Sequence, residues 1–183
     1  MRTRFAISAA AVLLLAAPGC SKPAESSPAA PPITVAEVPA ASAGGACILW
    51  DWNFIEEKIG VRFSVAASEQ IDDTSTCVVQ TVNTAWPDLS LSVVETTKAT
   101  PALFLAERMP PKATKLKGLG KAAYLLNTKA AGGHGPTVEI GWLSSAKQLQ
   151  TLRFTFAKGP KASTVKKMNA KLLELAKAMD TDS

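Results

Sequence analysis

Histidine is nearly absent from this chain, which has a single one, His134, among 183 residues. A catalytic cysteine needs a basic partner to lower the pKa of its thiol, and a zinc site needs several ligands close together. The loop "AGGHGP" that holds His134 offers no Cys, Asp or Glu at ligand spacing. We therefore predict no metal, no cofactor and no catalytic residue, and we interpret His134 as a surface-loop residue.

The chain also lacks an apolar run long enough for a permanent membrane helix. Its longest run, residues 5–17, follows two arginines and ends just before Cys20. A basic start, a short apolar run and a small-residue exit predict a signal peptide over residues 1–19. The surroundings of Cys20 resemble a bacterial lipobox, in which the cysteine after the cut is lipidated. Plain signal-peptidase cleavage is the alternative.

Lipid chains on Cys20 predict a palmitate-type anchor and a location on the extracytoplasmic side of an envelope membrane. Residues 20–45 are rich in Pro, Ala and Ser and show no apolar period, which is typical of a tether. The remaining residues, 46–180, are enough for one domain with its own core.

Charge of one sign is not strongly in excess. The chain has 20 Lys and Arg against 15 Asp and Glu, for a formal net charge of +5, and both leader arginines count toward it. Lysines cluster at 112–121 and 158–177. This distribution indicates a solvated surface, or a face for anionic headgroups or polymers, and an exported chain is not expected to bind nucleic acid.

With Cys20 assigned to lipid, Cys47 and Cys77 remain. An exported domain with an even number of cysteines usually oxidises them, so we predict a disulfide, with two free thiols as the alternative. Closing a loop of this length stabilises a fold by roughly 3.6 kcal/mol in the chain-entropy model.

Hydrophobic periodicity predicts three helices and about six strands. A helix is expected from the cap Asp51 to Gly60, a second after Thr100 with the stripe Ala102, Leu105, Ala106 and Met109, and a third over 163–180. Strands are expected in these stretches: 61–68, 76–84, 89–97, 121–127, 138–142 and 152–157. Hairpins in place of crossovers indicate the α+β class, with a largely antiparallel sheet in the order α-βββ-α-βββ-α flanked by helices.

The stretch "GLGKAAY" looks like a phosphate-binding turn. A Walker A loop fails because Lys115 and Ala122 occupy the positions of its first glycine and its hydroxyl residue. The dinucleotide pattern is met by Gly118, Gly120 and Ala123, with Glu139 about twenty residues on, but that mechanism needs a helix after the glycines. A strand is expected there, so we interpret the glycines as a tight turn.

Other polar residues give weaker signals. Asp72 and Asp73 could be a calcium corner but fit a solvated turn, and Ser144 and Ser145 lack the glycines of a hydrolase elbow. Among the four tryptophans, Trp86 lies at a hairpin tip and is the first candidate for an exposed contact, with Trp50 second. The remaining candidates for ligand or partner contact are the lysines of the loop: Lys112, Lys115, Lys117 and Lys121.

Several of these features together resemble small actinobacterial envelope lipoproteins of unknown function. They are the lipobox and tether, the helix that ends in glycine thirteen residues after Cys47, Cys77 at the opening of a strand, "GLGKAAY", and the final amphipathic helix. The resemblance is to LpqN-type and kinase-sensor-type exported domains, whose fold is similar to PsbP. It implies that Cys47 and Cys77 are the family's cysteine pair and that Gly118, Gly120 and Tyr124 are its glycine-turn-aromatic signature. It supplies no catalytic residues.

The sequence thus predicts a lipid-anchored, non-enzymatic binding domain. Its partner would be an envelope protein, or an apolar or anionic envelope ligand held in a groove between sheet and helix. An envelope hydrolase with an unconventional site, using His134, is the alternative.

Overall fold

The structure, a computed structural model, describes residues 38–96 and 98–181. The predicted signal peptide, Cys20 and the first part of the predicted tether lie outside the described residues. The described elements, in chain order, are η1 (Ala40–Ala43), η2 (Gly45–Leu49), α1 (Trp52–Ile59), β1 (Val65–Ile71), β2 (Thr74–Gln80), β3 (Asp88–Val94), α2 (Pro101–Glu107), β4 (Thr114–Leu116), β5 (Ala122–Thr128), β6 (Thr137–Leu143), β7 (Leu149–Thr155) and α3 (Ala162–Thr181), where η marks a 3₁₀ helix.

Capping residues set the ends of the first two helices. Asp51 accepts a hydrogen bond from the Phe54 backbone N–H at the start of α1, and Gly60 ends the helix in the left-handed conformation. Thr100 caps α2 in the same way through Leu103, and Pro101 occupies its first turn. These starts and stops confirm the predicted helices.

The seven strands form one antiparallel sheet in the order β1-β2-β3-β7-β6-β5-β4. Two meanders, β1–β3 and β4–β7, meet where β3 pairs with β7. The connection between the meanders carries α2 and crosses from the middle of the sheet to its far edge. The α+β class and the antiparallel sheet are therefore confirmed.

The sheet has two unlike faces. Its helix face is covered by η1 and η2 over β1–β3 and by α3 over β6 and β7, with α1 packed against α3. Val138, Ile140 and Trp142 of β6 lie in this core. Its polar face carries the alternate residues of each strand, and α2 covers one end of it by packing Phe104 against Tyr124 and Leu143.

The final helix follows its predicted stripe. Four of the five predicted residues are buried against the sheet, and Val165 packs partly buried beside them. The buried four are Met168, Leu172, Leu175 and Met179. One face of α3 thus closes the core over the second meander, as the three-four spacing predicts.

Three details of the sequence prediction are wrong. The sheet has seven strands and not six, because the lysine-rich loop contains the short edge strand β4. The first strand begins at Val65, where the side chain is 45% exposed, so the predicted alternation from residue 61 does not form one buried face. In α2 the buried residue is Phe104, whereas Ala102 and Ala106 of the predicted stripe are exposed.

Cys47 and Cys77 form a disulfide, with their Cα atoms 5.0 Å apart. The bond joins η2 to β2, and both residues are fully buried. Ala40, within the stretch predicted as tether, is also fully buried. The packed part of the chain therefore begins before residue 46, and the disulfide fixes this N-terminal cover on the sheet.

Candidate functional site

An apolar groove of about 450 Å³ lies on the helix face, at the seam between its two covers. We call it the seam groove. The roof comes from η2 and α1, the far wall from the end of α3 and the β6–β7 turn, and the floor from the sheet. Its lining residues are Gly45, Ala46, Ile48, Leu49, Phe54, Gln70, Ser75, Val93, Ala146, Gln148, Gln150 and Met179. The volume falls within the range of about 300–1,000 Å³ that small-molecule sites occupy.

The floor of the seam groove is a single row across four strands. Gln70 pairs with Ser75, Ser75 with Val93, and Val93 with Gln150. The next residue in the row, Trp142 of β6, is buried in the core. Polar and apolar side chains therefore share this row.

Two polar atoms of this floor have no hydrogen-bond partner among the described residues. They are the Oγ of Ser75 and the Oε1 of Gln150, and both are buried from solvent. The Gln150 side chain is held on its other side, because its Nε2 donates to the Oε1 of Gln148 at 3.0 Å. An unsatisfied buried acceptor costs about 1–3 kcal/mol, so the free fold carries a penalty here that a hydrogen-bonding ligand can relieve.

The roof presents the most exposed apolar side chains of the seam groove. Ile48 is 66% exposed and Leu49 is 51% exposed, on a helix that the Cys47 disulfide attaches to β2. Gly45 comes close to the floor, since a Cβ on it would lie 3.0 Å from the Oγ of Ser75. None of the twelve lining residues is ionisable. The groove can therefore hold an apolar chain with an uncharged polar group.

A second groove, of about 420 Å³, lies at the other end of the helix face and has a different character. Phe154, Phe156 and Met168 contribute its apolar surface, and Lys158, Lys167 and Lys171 stand around it. We call it the lysine-rimmed groove. The Nζ of Lys171 already donates to the backbone oxygen of Ile59 at 3.0 Å.

On the polar face, a buried carboxylate is fully partnered. Glu139 accepts from the Tyr124 hydroxyl at 2.9 Å and from the Nε and Nη2 of Arg153 at 3.0 and 2.8 Å. Tyr124 reaches across β6 because Gly141 leaves room, and a Cβ there would overlap its ring. Burial, followed by the neighbouring Glu139 carboxylate, raises the pKa of Tyr124 well above its ordinary 10.0. This network joins side chains of β5, β6 and β7 on the polar face.

At the end of the polar face, His134 lies near Trp86 and Asp88. The Trp86 and His134 ring centroids are 5.5 Å apart, and the His134 Nδ1 lies against the backbone oxygen of Gly135. Burial raises the pKa of the Asp88 carboxyl, although a hydrogen bond from Thr155 and the charges of Arg153 and His134 oppose the shift. His134 precedes β6, whereas Ser144 follows it, so the strand separates that histidine from the serine pair.

The other predicted contact residues lie away from the seam groove. Trp50 is 2% exposed and packs in the core, so it is not a surface residue. Trp86 is partly exposed beside His134. The predicted lysines, Lys112, Lys115, Lys117 and Lys121, are exposed around the edge strand β4, which β5 and β6 separate from β7. Lys121 is the exception, because its Nζ donates to the backbone oxygen of Ser145 at 2.9 Å, in the β6–β7 turn that forms the far wall of the seam groove.

The glycines of "GLGKAAY" form the turn between β4 and β5. Gly118 and Gly120 have φ values of +75° and +51°, and a Cβ on Gly120 would collide with the backbone oxygen of Leu143. The Gly120 N–H donates to Asp180 at the end of α3. Strand β5 follows the turn, so there is no helix N-terminus for a phosphate, as the sequence predicts.

Sequence reasoning missed the residues of the seam groove, although a signal for two of them exists. Gln150 is in phase with Leu152 and Phe154, and Ser75 is in phase with Cys77 and Val79. A polar residue in phase with the buried face of a strand indicates a buried polar group. Ile48 and Leu49 gave no such signal, because their exposure depends on how η2 rests on the sheet.

The described ranges 38–96 and 98–181 contain no helix that is both long and apolar enough to cross a bilayer. Within those same ranges, no three His, Cys, Asp or Glu side chains gather as metal ligands would. Comparisons of the chain with protein-family models, with curated proteins and with solved structures found no match.

Proposed function

We propose that this chain is a non-enzymatic binding protein of the cell envelope that holds an apolar ligand in the seam groove. A lipid anchor on Cys20 would hold the domain at the extracytoplasmic side of a membrane. The proposal includes no cofactor and no nucleic acid. The observation that carries it is the groove itself, an apolar space between sheet and helices whose roof leaves Ile48 and Leu49 largely exposed.

The form of the groove supports a small ligand over a protein partner. Its roof is attached to the floor strand β2 through the Cys47–Cys77 disulfide, so the walls are held in place before a ligand arrives. Apolar side chains that stay exposed in the free protein lose water when a ligand covers them, at roughly 25 cal/mol for each Å² buried. Preorganised walls lower the entropic cost of binding.

The experiment uses the full chain with Cys20→Ser, so that no attached lipid competes for the groove. Calorimetric titration with decan-1-ol is expected to show saturable binding that Ile48→Asp weakens by at least tenfold. Val82→Asp is the matched control, because Val82 is 56% exposed and does not line the groove. Absence of saturable binding, or equal loss in both variants, would contradict the proposal.

A second candidate ligand class is anionic, and the lysine-rimmed groove favours it. Three lysines beside an apolar surface suit an amphiphile with a carboxylate or phosphate head. Binding of decanoate that Lys158→Glu abolishes, that salt weakens and that Ile48→Asp leaves unchanged would place such a ligand there.

The hydrolase alternative draws on Asp88 and His134, whose charges interact at the end of the polar face. The ring of His134 lies against Trp86, and its Nδ1 faces a carbonyl of its own loop. If the variant His134→Ala retains full function in the living cell, the hydrolase alternative is removed. If the variant loses function but binds decan-1-ol unchanged, the hydrolase alternative is favoured over the binding function.

A further inference from the structure

We propose that the ligand of the seam groove carries an uncharged hydrogen-bond donor, such as a hydroxyl or a primary amide, which bonds to the Oε1 of Gln150. The inference rests on the proposed function and adds the chemistry of the ligand's polar group. A single-chain neutral amphiphile, such as a fatty alcohol, is the ligand class.

The need for a donor follows from Gln150. Its side chain is 2% exposed, its Nε2 is already bonded to Gln148, and its Oε1 has no partner. Ser75 lies two strands away in the same row, with Val93 between them, and its Oγ is also unpartnered. A hydroxyl or an amide N–H donates to an amide oxygen, so either group satisfies the Oε1 of Gln150.

The absence of charge follows from the lining. None of the described residues that line the seam groove is ionisable, so a carboxylate or an ammonium group would lose its water without gaining an opposite charge from the lining. Glu95 stands just outside, where its Oε1 accepts from the Nε2 of Gln148 at 2.8 Å. This carboxylate further disfavours an anion.

Entry of the polar group requires a small rearrangement. Both acceptor atoms are covered in the free structure, so the side chains of the floor must turn to meet the ligand. Met179, an unbranched and adaptable side chain, and the exposed Gln70 line the same space and can move aside. The polar group then lies on the floor, and the apolar chain runs along Ile48 and Leu49.

The test compares three ten-carbon probes on the full chain with Cys20→Ser by calorimetry. Decan-1-ol has a neutral donor, 1-methoxydecane has an acceptor only, and decanoate is an anion. We expect decan-1-ol to bind roughly tenfold tighter than 1-methoxydecane, as one hydrogen bond to a previously unsatisfied atom allows. Decanoate should show no binding that depends on Ile48.

The variant Gln150→Met removes the acceptor and keeps the volume. It should abolish the preference for decan-1-ol over 1-methoxydecane while leaving the binding of the ether within about twofold. Gln80→Met is the matched control, because Gln80 lies on the polar face, where its Nε2 donates to the backbone oxygen of Ala85. If Gln150→Met does not fold, Gln150→Leu also removes the acceptor and provides the same comparison.

The possible outcomes distinguish failure of this inference from failure of the proposed function on which it rests. Equal binding of all three probes, with loss in Ile48→Asp, would overturn the neutral donor and keep the groove as a binding site. No binding of any probe would overturn both. A dimer that Ile48→Asp dissociates would show that a second copy of the chain fills the groove, and it would overturn the small ligand.

Discussion

The two faces of the sheet bury polar atoms in opposite ways. On the polar face, the Glu139 side chain is 9% exposed and receives three hydrogen bonds from Tyr124 and Arg153. On the helix face, Gln150 is 2% exposed and its Oε1 has no partner. Both residues lie in central strands, β6 and β7, so the contrast does not come from their distance to an edge.

The contrast separates a structural role from a binding role. A buried polar group with all its partners stabilises and fixes the fold, whereas one without them costs stability in the free protein. Selection for stability alone would place an apolar residue at position 150, as at its neighbour in the row, Val93. Under the proposed function, a ligand completes the hydrogen bonds of Gln150.

The largest expected effect comes from removing the disulfide that attaches η2 to β2. Replacing both Cys47 and Cys77 by alanine should lower the free energy of unfolding by about 3–4 kcal/mol, because the bond closes a loop of 30 residues. Urea denaturation measures the change. Binding of decan-1-ol should fall as well, since η2 is then no longer attached to β2. An unchanged midpoint together with unchanged binding would contradict the role of the disulfide.

On the polar face, Glu139→Ala should destabilise the fold by about 2 kcal/mol. The substitution leaves the buried Tyr124 hydroxyl without its acceptor, and one hydrogen bond to a charged group contributes about 1.5–3 kcal/mol. The Arg153 side chain is 53% exposed, so its guanidinium exchanges the two lost bonds for bonds to water. The control is Glu174→Ala in α3, where an exposed carboxylate pairs with Lys177 and its loss should cost under about 0.5 kcal/mol. Equal losses in the two variants would show that Glu139 has no special structural role.

The titration of Tyr124 sharpens the same point, because it is the chain's only tyrosine. Its pKa is raised in the folded chain, so the contribution of Tyr124 to the free energy of unfolding should stay constant below pH 10.0. This contribution should fall as the pH rises from there toward the raised pKa, because the unfolded chain then releases the proton and the folded chain does not. Phenolate absorbance follows the titration directly. Glu139→Gln should bring the pKa back toward its ordinary value, and a native titration at 10.0 would contradict the buried network.

The smallest effect is expected at Gln150. Gln150→Met should leave the free energy of unfolding within about 1 kcal/mol of the parent or raise it, because an unsatisfied acceptor disappears together with one hydrogen bond to Gln148. Urea denaturation of Gln150→Met and of Glu139→Ala compares the cost of losing a polar side chain on the two faces. A loss as large as that of Glu139→Ala would show that Gln150 is a structural residue and would remove the reason to expect a ligand.

Local signals predict much of this fold. The cap at Asp51, the left-handed Gly60 and the three-four stripe of α3 each indicate an element that the structure contains. Strand β4 could not be predicted, because three residues within a lysine-rich loop become a strand only by pairing with β5. The same holds for the burial of Phe104, which depends on where α2 crosses the polar face.

The candidate site was predicted only in outline. A groove between sheet and helix was expected, but its walls come from the consecutive elements η2 and α1, from α3 and from the β6–β7 turn. These three parts are distant in sequence and meet only in the fold. The lysine-rich loop and Trp86 stood out because a cluster of charges, or an aromatic residue at a hairpin turn, can be recognised from the sequence alone. Ser75 and Gln150 did not stand out, because a polar residue in a strand is buried or exposed according to the face of the sheet on which it lies.

The most direct test of the account is the NMR spectrum of the full chain with Cys20→Ser, titrated with decan-1-ol. We predict that the side-chain amide signals of Gln150 and the methyl signals of Ile48 and Leu49 shift together and saturate at one equivalent. The Gln80 amide on the polar face should stay in place. Shifts confined to the lysine-rimmed groove around Met168, or no saturable shift at Gln150, would contradict the central claim.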